Sequence, residues 1–388
     1  MTDASNLSEQ FSWLDRLVRH DTTSSKSNLA LIDDVDAYLR AQGAETWRVE
    51  SYCGGKANLY ARVGPAAAGG VVLSGHTDVV PVEGQDWKTD PFVVQEKDGR
   101  LYGRGTSDMK AFSAIGLSLV PKMTAADLKR PIVFALSYDE EVGCLGAPSM
   151  IEEIRSKMPP LSAVIVGEPT MMKVIDGHKG IASFRVRVTG YTTHSSQTDR
   201  GVSAVEAAAQ LIVKIRSMRE QRARDADPEN PFSPPYSTMT VNVAHGGTQL
   251  NIMAGECVFD FDCRIVPGDS IVEIIEEIKA YAKGVEAEMR ARAAGCRIEI
   301  EQMTNAPALA PSDDNPAADL AKALTGQNAT DVVAYAAEAG QFQEAGFSTV
   351  ICGPGSIDQA HQPNEYIAVS QIAEGKKFIE RLVARLSA

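Results

Sequence analysis

Residues 71–81 read Val-Val-Leu-Ser-Gly-His-Thr-Asp-Val-Val-Pro, an apolar run that ends abruptly at Gly75-His76-Thr77-Asp78. The run predicts a buried strand over 71–74. Side chains two positions apart in extended backbone share a face, so His76 and Asp78 point the same way just past the strand. An imidazole beside a carboxylate suits metal ligation or proton transfer; a surface histidine at a strand end is the ordinary alternative. Working outward, the pattern repeats. The apolar stretch 132–137 runs into Tyr138-Asp139-Glu140-Glu141-Val142-Gly143, and 163–166 runs into Gly167-Glu168-Pro169-Thr170. Helical spacing fills 108–119 and 147–157 between them. Continuous apolar strands alternating with helices predict a mostly parallel sheet covered by helices on both faces. Ligands bind such sheets at the carboxyl edge.

Two helices open the chain, one with Leu7, Phe11, Leu14, Leu17 and Val18 on one face, the other with Ile32, Val35, Tyr38 and Leu39 before a terminating Gly43. Strands are expected at 46–50 and 58–63. Near Gly180 the style changes. Phe184, Val186 and Val188 alternate with polar residues, as in a half-exposed strand. A helix follows with Val205, Ala208, Ala209, Ile212 and Ile215 inward, then strands at 238–244 and 256–265. A helix over 271–281 and a strand at 297–301 complete the order βαββαβ, the ferredoxin-like arrangement. After Pro307 the first style returns, with a helix at 316–324, strands at 332–335 and 347–352 and a terminal helix at 372–386. The expected fold is α/β: a discontinuous catalytic domain, 1–179 and 304–388, interrupted by an inserted α+β domain, 180–303.

The 388 residues are 44% hydrophobic and 23% charged, which is globular composition with length for two cores. A formal net charge of -13 argues against nucleic acid as partner, because phosphate binding needs clustered Lys and Arg. The six cysteines are scattered, and Cys257 and Cys263 alternate within a predicted strand, which fits a reduced interior rather than a disulfide framework. No apolar run nears the roughly 18 residues that span a bilayer. The opening MTDASNLSEQF has neither basic nor apolar signal region, so a cytoplasmic protein with no membrane association is expected.

Two further segments carry donors. Gly103-Arg104-Gly105-Thr106-Ser107-Asp108-Met109-Lys110 is a tight turn into a helix, where Asp108 either caps the helix or faces the sheet edge. It lacks the Gly-Lys-Ser/Thr ending of a phosphate loop. Ala360-His361-Gln362-Pro363 follows Gly353-Pro354-Gly355. His76, Asp108, one of the adjacent acids Glu140 and Glu141, Glu168 and His361 could thus converge at one edge. Two imidazoles and three carboxylates would suit a pair of zinc-like ions sharing one bridging carboxylate.

Together GHTDVVP, GRGTSDMK, the Asp139-Glu140-Glu141 loop, VGEPT and AHQPNEY resemble the M20 family of co-catalytic metal-dependent amidohydrolases over nearly the whole chain. The resemblance implies two divalent ions per subunit, zinc or alternatively cobalt. His76 and Glu168 would complete one metal's shell, Glu141 and His361 the other's, and Asp108 would bridge them. Asp78 would orient His76, and a cis peptide is implied at Asp108–Met109. Glu140 would be the general base, and His194 would stabilise the oxyanion in a partner subunit's site. Asn251 and Arg264 would hold a substrate carboxylate; a structural ion pair of Arg264 with Asp262 is the alternative. Gly353 and Ser356 would offer backbone N–H groups to the substrate. The expected ligand is a small N-acyl amino acid, N2-acetyl-L-ornithine by the segments 337–342 and 353–366. The rivals are succinyl-diaminopimelate, another acylated amino acid or a peptide, and a non-catalytic metal-binding protein. The inserted domain is expected to make a homodimer.

Overall fold

Strand and helix alternate where the apolar pattern demands it. The structure, a computed structural model, describes residues 11–388, so the expectation for Leu7 lies outside the described residues. In chain order the elements are α1 (Ser12–Val18), α2 (Leu29–Ala41), β1 (Glu45–Glu50), β2 (Ala57–Val63), β3 (Gly70–His76), β4 (Gln95–Lys97), β5 (Arg100–Tyr102), α3 (Lys110–Ser118) and α4 (Val120–Ala125). There follow β6 (Ile132–Ser137), α5 (Ala147–Lys157), β7 (Leu161–Pro169), β8 (Ile175–His178), β9 (Gly180–Thr189), α6 (Ala204–Arg224), β10 (Thr238–Gly246), β11 (Glu256–Ile265), α7 (Ile271–Arg292) and β12 (Arg297–Ala306). The last are α8 (Pro316–Thr325), β13 (Asp331–Val333), α9 (Ala339–Glu344), β14 (Thr349–Gly353), β15 (Tyr366–Ala368) and α10 (Val369–Ser387).

The chain divides into two compact units. One takes the chain up to Gly177 with Leu309–Val332 and Ala337–Ala388; the other takes His178–Ala308 and Val333–Ala336.

The first unit is built on an eight-stranded sheet of order β1-β2-β6-β3-β7-β14-β8-β13. Its centre is parallel: β3 pairs in parallel with β6 and β7, and β14 with β7. Every residue of β3, β6 and β14 is buried, as strands covered on both faces require. The flank is antiparallel, because a six-residue connection between β1 and β2 is too short for a parallel crossover. Helix α3 packs on β3, α8 on β7 and β14, α5 on β2 and β6, and α9 on β7 and β14. Close approach explains two glycines: a Cβ on Gly167 would lie 2.0 Å from the Phe112 ring, and one on Gly353 2.0 Å from the Gly167 carbonyl oxygen.

The second unit holds a four-stranded antiparallel sheet of order β10-β11-β9-β12, with α6 and α7 packed together and against it. Its core gathers Phe184, Val186, Phe259, Phe261, Leu211, Ile215, Ile274 and Ile278, with Cys257 and Cys263 among them. One expectation fails. Val205 and Ala209 face outward, and α6 buries Ala204, Ala207, Ala208, Leu211, Ile215 and Met218. The buried stripe is the one that carries the larger Leu211 and Met218, and Ser203, whose hydroxyl accepts from the Glu206 N–H, caps the helix. All six cysteines are free, and all but Cys53 are buried. Among the described residues no helix is long and apolar enough to cross a membrane.

Candidate metal centre

β3, β6 and β7 end side by side, and their carboxyl ends deliver His76, the Glu140-Glu141 loop and Glu168 to one place. Asp108 and His361 come to it from loops. Two triads result: His76, Asp108 and Glu168, all buried, and Asp108, Glu141 and His361; within each, the ligand atoms lie within 4.8 Å of one another. Asp108 belongs to both. Its Oδ1 is 3.0 Å from His76 Nε2 and its Oδ2 is 3.4 Å from His361 Nε2. His361 Nε2 also lies 2.9 Å from Glu141 Oε2. Asp108 is no helix cap, since α3 starts two residues later with Met109 in the cap position. The Asp108–Met109 peptide is cis, as the resemblance implied.

The centre is overloaded with negative charge. Burial drives Glu168 well above the ordinary carboxylate range, and neighbouring Asp108 adds to it. Burial likewise raises Glu140 and Glu141. Burial opposes the charged form of Asp108 too, but hydrogen bonds from His361 and His76 outweigh it and hold that carboxyl below its usual range. Hydrogen bonding to Asp108 and Glu141 lifts His361 to about 10. Glu168 Oε1 is buried with no hydrogen-bond partner. Four clustered carboxylates against two imidazoles, with an orphaned carboxylate oxygen, fit a pair of divalent cations: hard oxygen and imidazole donors suit them, and the cations would offset the repulsion.

The supporting contacts are specific. His76 Nδ1 is 2.9 Å from the main-chain oxygen of Asp78, while the Asp78 carboxylate stands 3.6 Å from it. That carboxylate accepts instead from the Glu140 N–H at 3.1 Å, the Glu141 N–H at 3.2 Å and the Ser24 hydroxyl at 2.8 Å. Asp78 therefore steadies the acid loop as well as the imidazole. Glu140 belongs to neither triad. Its Oε1 accepts from the Cys144 thiol at 3.3 Å.

His194, Asn251 and Arg264 are in the second unit. His194 and Asn251 share adjoining segments, where the Ser195 N–H donates to the Asn251 main-chain oxygen. The Ser196 N–H donates to His194 Nδ1, so a neutral imidazole carries its proton on Nε2. Arg264 Nε donates to Asp262 Oδ2 at 3.2 Å. Gly353 and Ser356 are turned inward. The Gly353 N–H donates to Thr170 Oγ1 and the Ser356 N–H to Ser107 Oγ, so neither is offered to a substrate. Motif position alone does not reveal that a main-chain N–H is already spent. Two residues within these segments were not singled out, Glu338 and Glu365; both are buried carboxyl groups, which are seldom retained without a partner or a task.

Buried acids and imidazoles arranged this way at the carboxyl edge of a parallel sheet mark a metal-dependent amide hydrolase. Residues 72–385 match the profile of Peptidase family M20/M25/M40. The acetylornithine deacetylase of Aliivibrio fischeri strain MJ11 is 34% identical over 365 residues, 94% of this chain and 93% of that protein. The acetylornithine deacetylase of Myxococcus xanthus is 34% identical over 379 residues, 96% of each. Among solved structures, an M20 family metallo-carboxypeptidase from Sulfolobus solfataricus superposes with a TM-score of 0.79 at 17% identity, covering 98% of this chain and 100% of that one. A dinuclear metal-binding M20 peptidase from Bacillus subtilis gives 0.65 at 12% identity, covering 97% and 98%. The chain belongs to Peptidase family M20/M25/M40.

Proposed function

We propose that the protein hydrolyses N2-acetyl-L-ornithine to L-ornithine and acetate, as a step of arginine biosynthesis in the cytoplasm. The observation that carries the chemistry is the pair of triads sharing Asp108, with Glu140 beside them but in neither. The choice of substrate is supported by the relatives, named acetylornithine deacetylases, that match over nearly the whole chain.

His76, Asp108 and Glu168 would hold one cation and Asp108, Glu141 and His361 the other, zinc being the assigned metal and cobalt the alternative. Bound there, the pair supplies polarisation of the amide carbonyl and acidification of water. Glu140 takes the proton of the attacking water and delivers it to the leaving α-amine. Because Glu140 belongs to neither triad, its carboxylate would stay unligated and can hold that proton between the two steps. Asp78 keeps Glu140 aimed by gripping the main chain of the acid loop. His194 Nε2–H donates to the developing oxyanion. Asn251 and Arg264 anchor the substrate carboxylate, for which a guanidinium fork is suited.

The second unit makes a homodimer in this reading. Val205 and Val213 are exposed on one stripe of α6, and Val243 is exposed on β10, an edge strand of its sheet.

Purified protein loaded with zinc or cobalt, offered a panel of acylated amino acids, should release acetate from N2-acetyl-L-ornithine faster than it cleaves succinyl-diaminopimelate or dipeptides. Preference for the succinylated amine or for a peptide would replace the substrate while leaving the chemistry in place.

A further inference from the structure

Asp108 and His361 are 253 positions apart by their numbers, and both stand on loops rather than on strands. His361 adopts a left-handed backbone conformation, with φ 62°, which is uncommon for any residue but glycine. Its side chain is 53% exposed. Packing alone does not hold such a ligand in place.

Glu365 does much of that holding. It is 1% exposed, and its carboxylate is saturated. Oε1 accepts from the Ser107 N–H at 2.7 Å and from the Asp108 N–H at 3.0 Å. Oε2 accepts from the Gly105 N–H at 2.9 Å and from Arg104 Nη1 at 2.9 Å. Two oxygens offer about four lone-pair sites, so none is left for a cation, and Glu365 is no ligand. The Glu365 main-chain oxygen also accepts from the Gly103 N–H at 3.0 Å.

The bonds continue to the other ligand. Buried Arg104 donates through Nη2 to Gln85 Oε1, and Gln85 Nε2 donates to the main-chain oxygen of His361 at 2.9 Å. Trp87 Nε1 also donates to Gln85 Oε1, and the Arg104 guanidinium lies 5.1 Å from the centre of the Trp87 ring. Asn364 ties the same loop to residues 86–88 through its carbonyl oxygen and amide nitrogen. A continuous path of hydrogen bonds, charge-assisted as far as Gln85, thus runs from the Asp108 main chain through Glu365, Arg104 and Gln85 to the His361 main chain.

We propose that Glu365 is a positioning residue which, with Arg104 and Gln85, locks the loops bearing Asp108 and His361 into one body and so sets the affinity of the Asp108–Glu141–His361 site for its cation. His76 and Glu168 sit on strand ends and need no such brace, so the other site depends on it less. The inference rests on the reading of Asp108 and His361 as ligands.

The test is calorimetric titration of metal-depleted protein with zinc, reading the two equivalents separately. Cobalt absorption serves as a second signal, since it reports ligand geometry. Glu365→Gln should weaken about tenfold or more the equivalent that His361→Ala weakens, and the other by clearly less, with a changed cobalt spectrum. General destabilisation would lower the melting temperature without separating the equivalents. Because Glu365→Gln leaves Arg104 charged and buried without a counter-ion, it is paired with the double variant Arg104→Met/Glu365→Gln, which carries no unpaired charge. The folded double variant should show the same split. Two equivalents bound as in the parent by either folded variant would overturn the proposal. His361→Ala, run in parallel, separates the two readings. If it weakens neither equivalent, the ligand assignment fails; if it weakens one and Glu365→Gln spares that one, only the brace fails.

Discussion

Glu338 is 1% exposed, and neither of its carboxylate oxygens has a hydrogen-bond partner. Burial lifts it from the ordinary glutamate value of 4.5 to about 7, although the nearby Ser137 and Ser74 hydroxyls and His76 favour its charged form. Those hydroxyls stand beside the carboxyl without reaching hydrogen-bond geometry, since Ser74 Oγ and Ser137 Oγ are themselves unpartnered. The sign of the pH effect follows. Above about pH 4.5 the unfolded chain sheds this proton while the folded chain keeps it, so the unfolded state binds fewer protons and stability falls as pH rises. The contribution is complete below that point and gone once pH passes about 7, a change on the order of 3 kcal/mol. Glu338→Gln cannot titrate. Urea unfolding of both metal-free proteins at pH 4.5 and pH 8 should show the parent losing about that much more than the variant; parallel losses would mean that Glu338 is already ionised in the folded state. At this scale, the side chains lining the centre were legible in the sequence because each sits where an apolar strand stops or in a motif too polar for a core. Gly353 and Ser356 were not, because a main-chain N–H gives no sign in sequence of the partner it has found. Glu365 escaped notice for a related reason: four donors that cluster more than two hundred residues upstream define its role.

Among the elements, α8 depends on one side chain for its position. Asn315 precedes Pro316 and caps the helix, its Oδ1 accepting from the Ala318 N–H at 3.2 Å and from the Ser348 hydroxyl at 2.8 Å. Its Nδ2 donates to the main-chain oxygen of Thr349 at 3.1 Å, at the start of β14. Cap and strand are thereby joined by a residue only 6% exposed. Asn315→Ala removes the cap, worth about 1 kcal/mol, and leaves the buried Thr349 carbonyl unsatisfied at a further cost of roughly 1–3 kcal/mol. Asn315→Asp keeps an oxygen for the cap but has no donor for Thr349, so it should fall between the parent and the alanine variant. Urea midpoints at unchanged slope check the order, and an aspartate variant as stable as the parent would show that the link to β14 carries no weight. The long helices and central strands were legible because periods of 3.6 or continuous apolar runs persist for many residues. Strands β4, β5 and β15 have three residues each, too few to show a period, and they form their own three-stranded sheet of order β15-β5-β4. Helix α9 has only six residues. The face of α6 was misjudged because alanine and valine fill both of its sides.

For the molecule as a whole, the return of apolar strand and helix after Pro307 made a discontinuous first unit readable, because a covered parallel sheet and a half-exposed antiparallel one leave different patterns. Composition does not tell how many copies assemble or which copy's residues meet. His194 and Asn251 belong to one unit and Glu140 to the other. In the proposed homodimer, His194 of one copy serves the centre of its partner, and a mixing experiment isolates that claim. Glu140→Ala removes the general base and should cost on the order of 10²–10⁴ in rate with metal content unchanged, since Glu140 is in neither triad. His194→Ala removes the oxyanion donor and should cost about 10²–10³. Neither parent variant then carries appreciable activity. After the two are unfolded, mixed in equal amounts and refolded together, about half of the dimers contain one copy of each. Each mixed dimer has one centre with Glu140 of its own and His194 from the partner. The other centre lacks both. Recovery should therefore approach about a quarter of the parent activity, and should appear only after subunit exchange. A histidine that served its own copy would leave every centre in the mixture short of one group, and no activity would return at any ratio of the two variants.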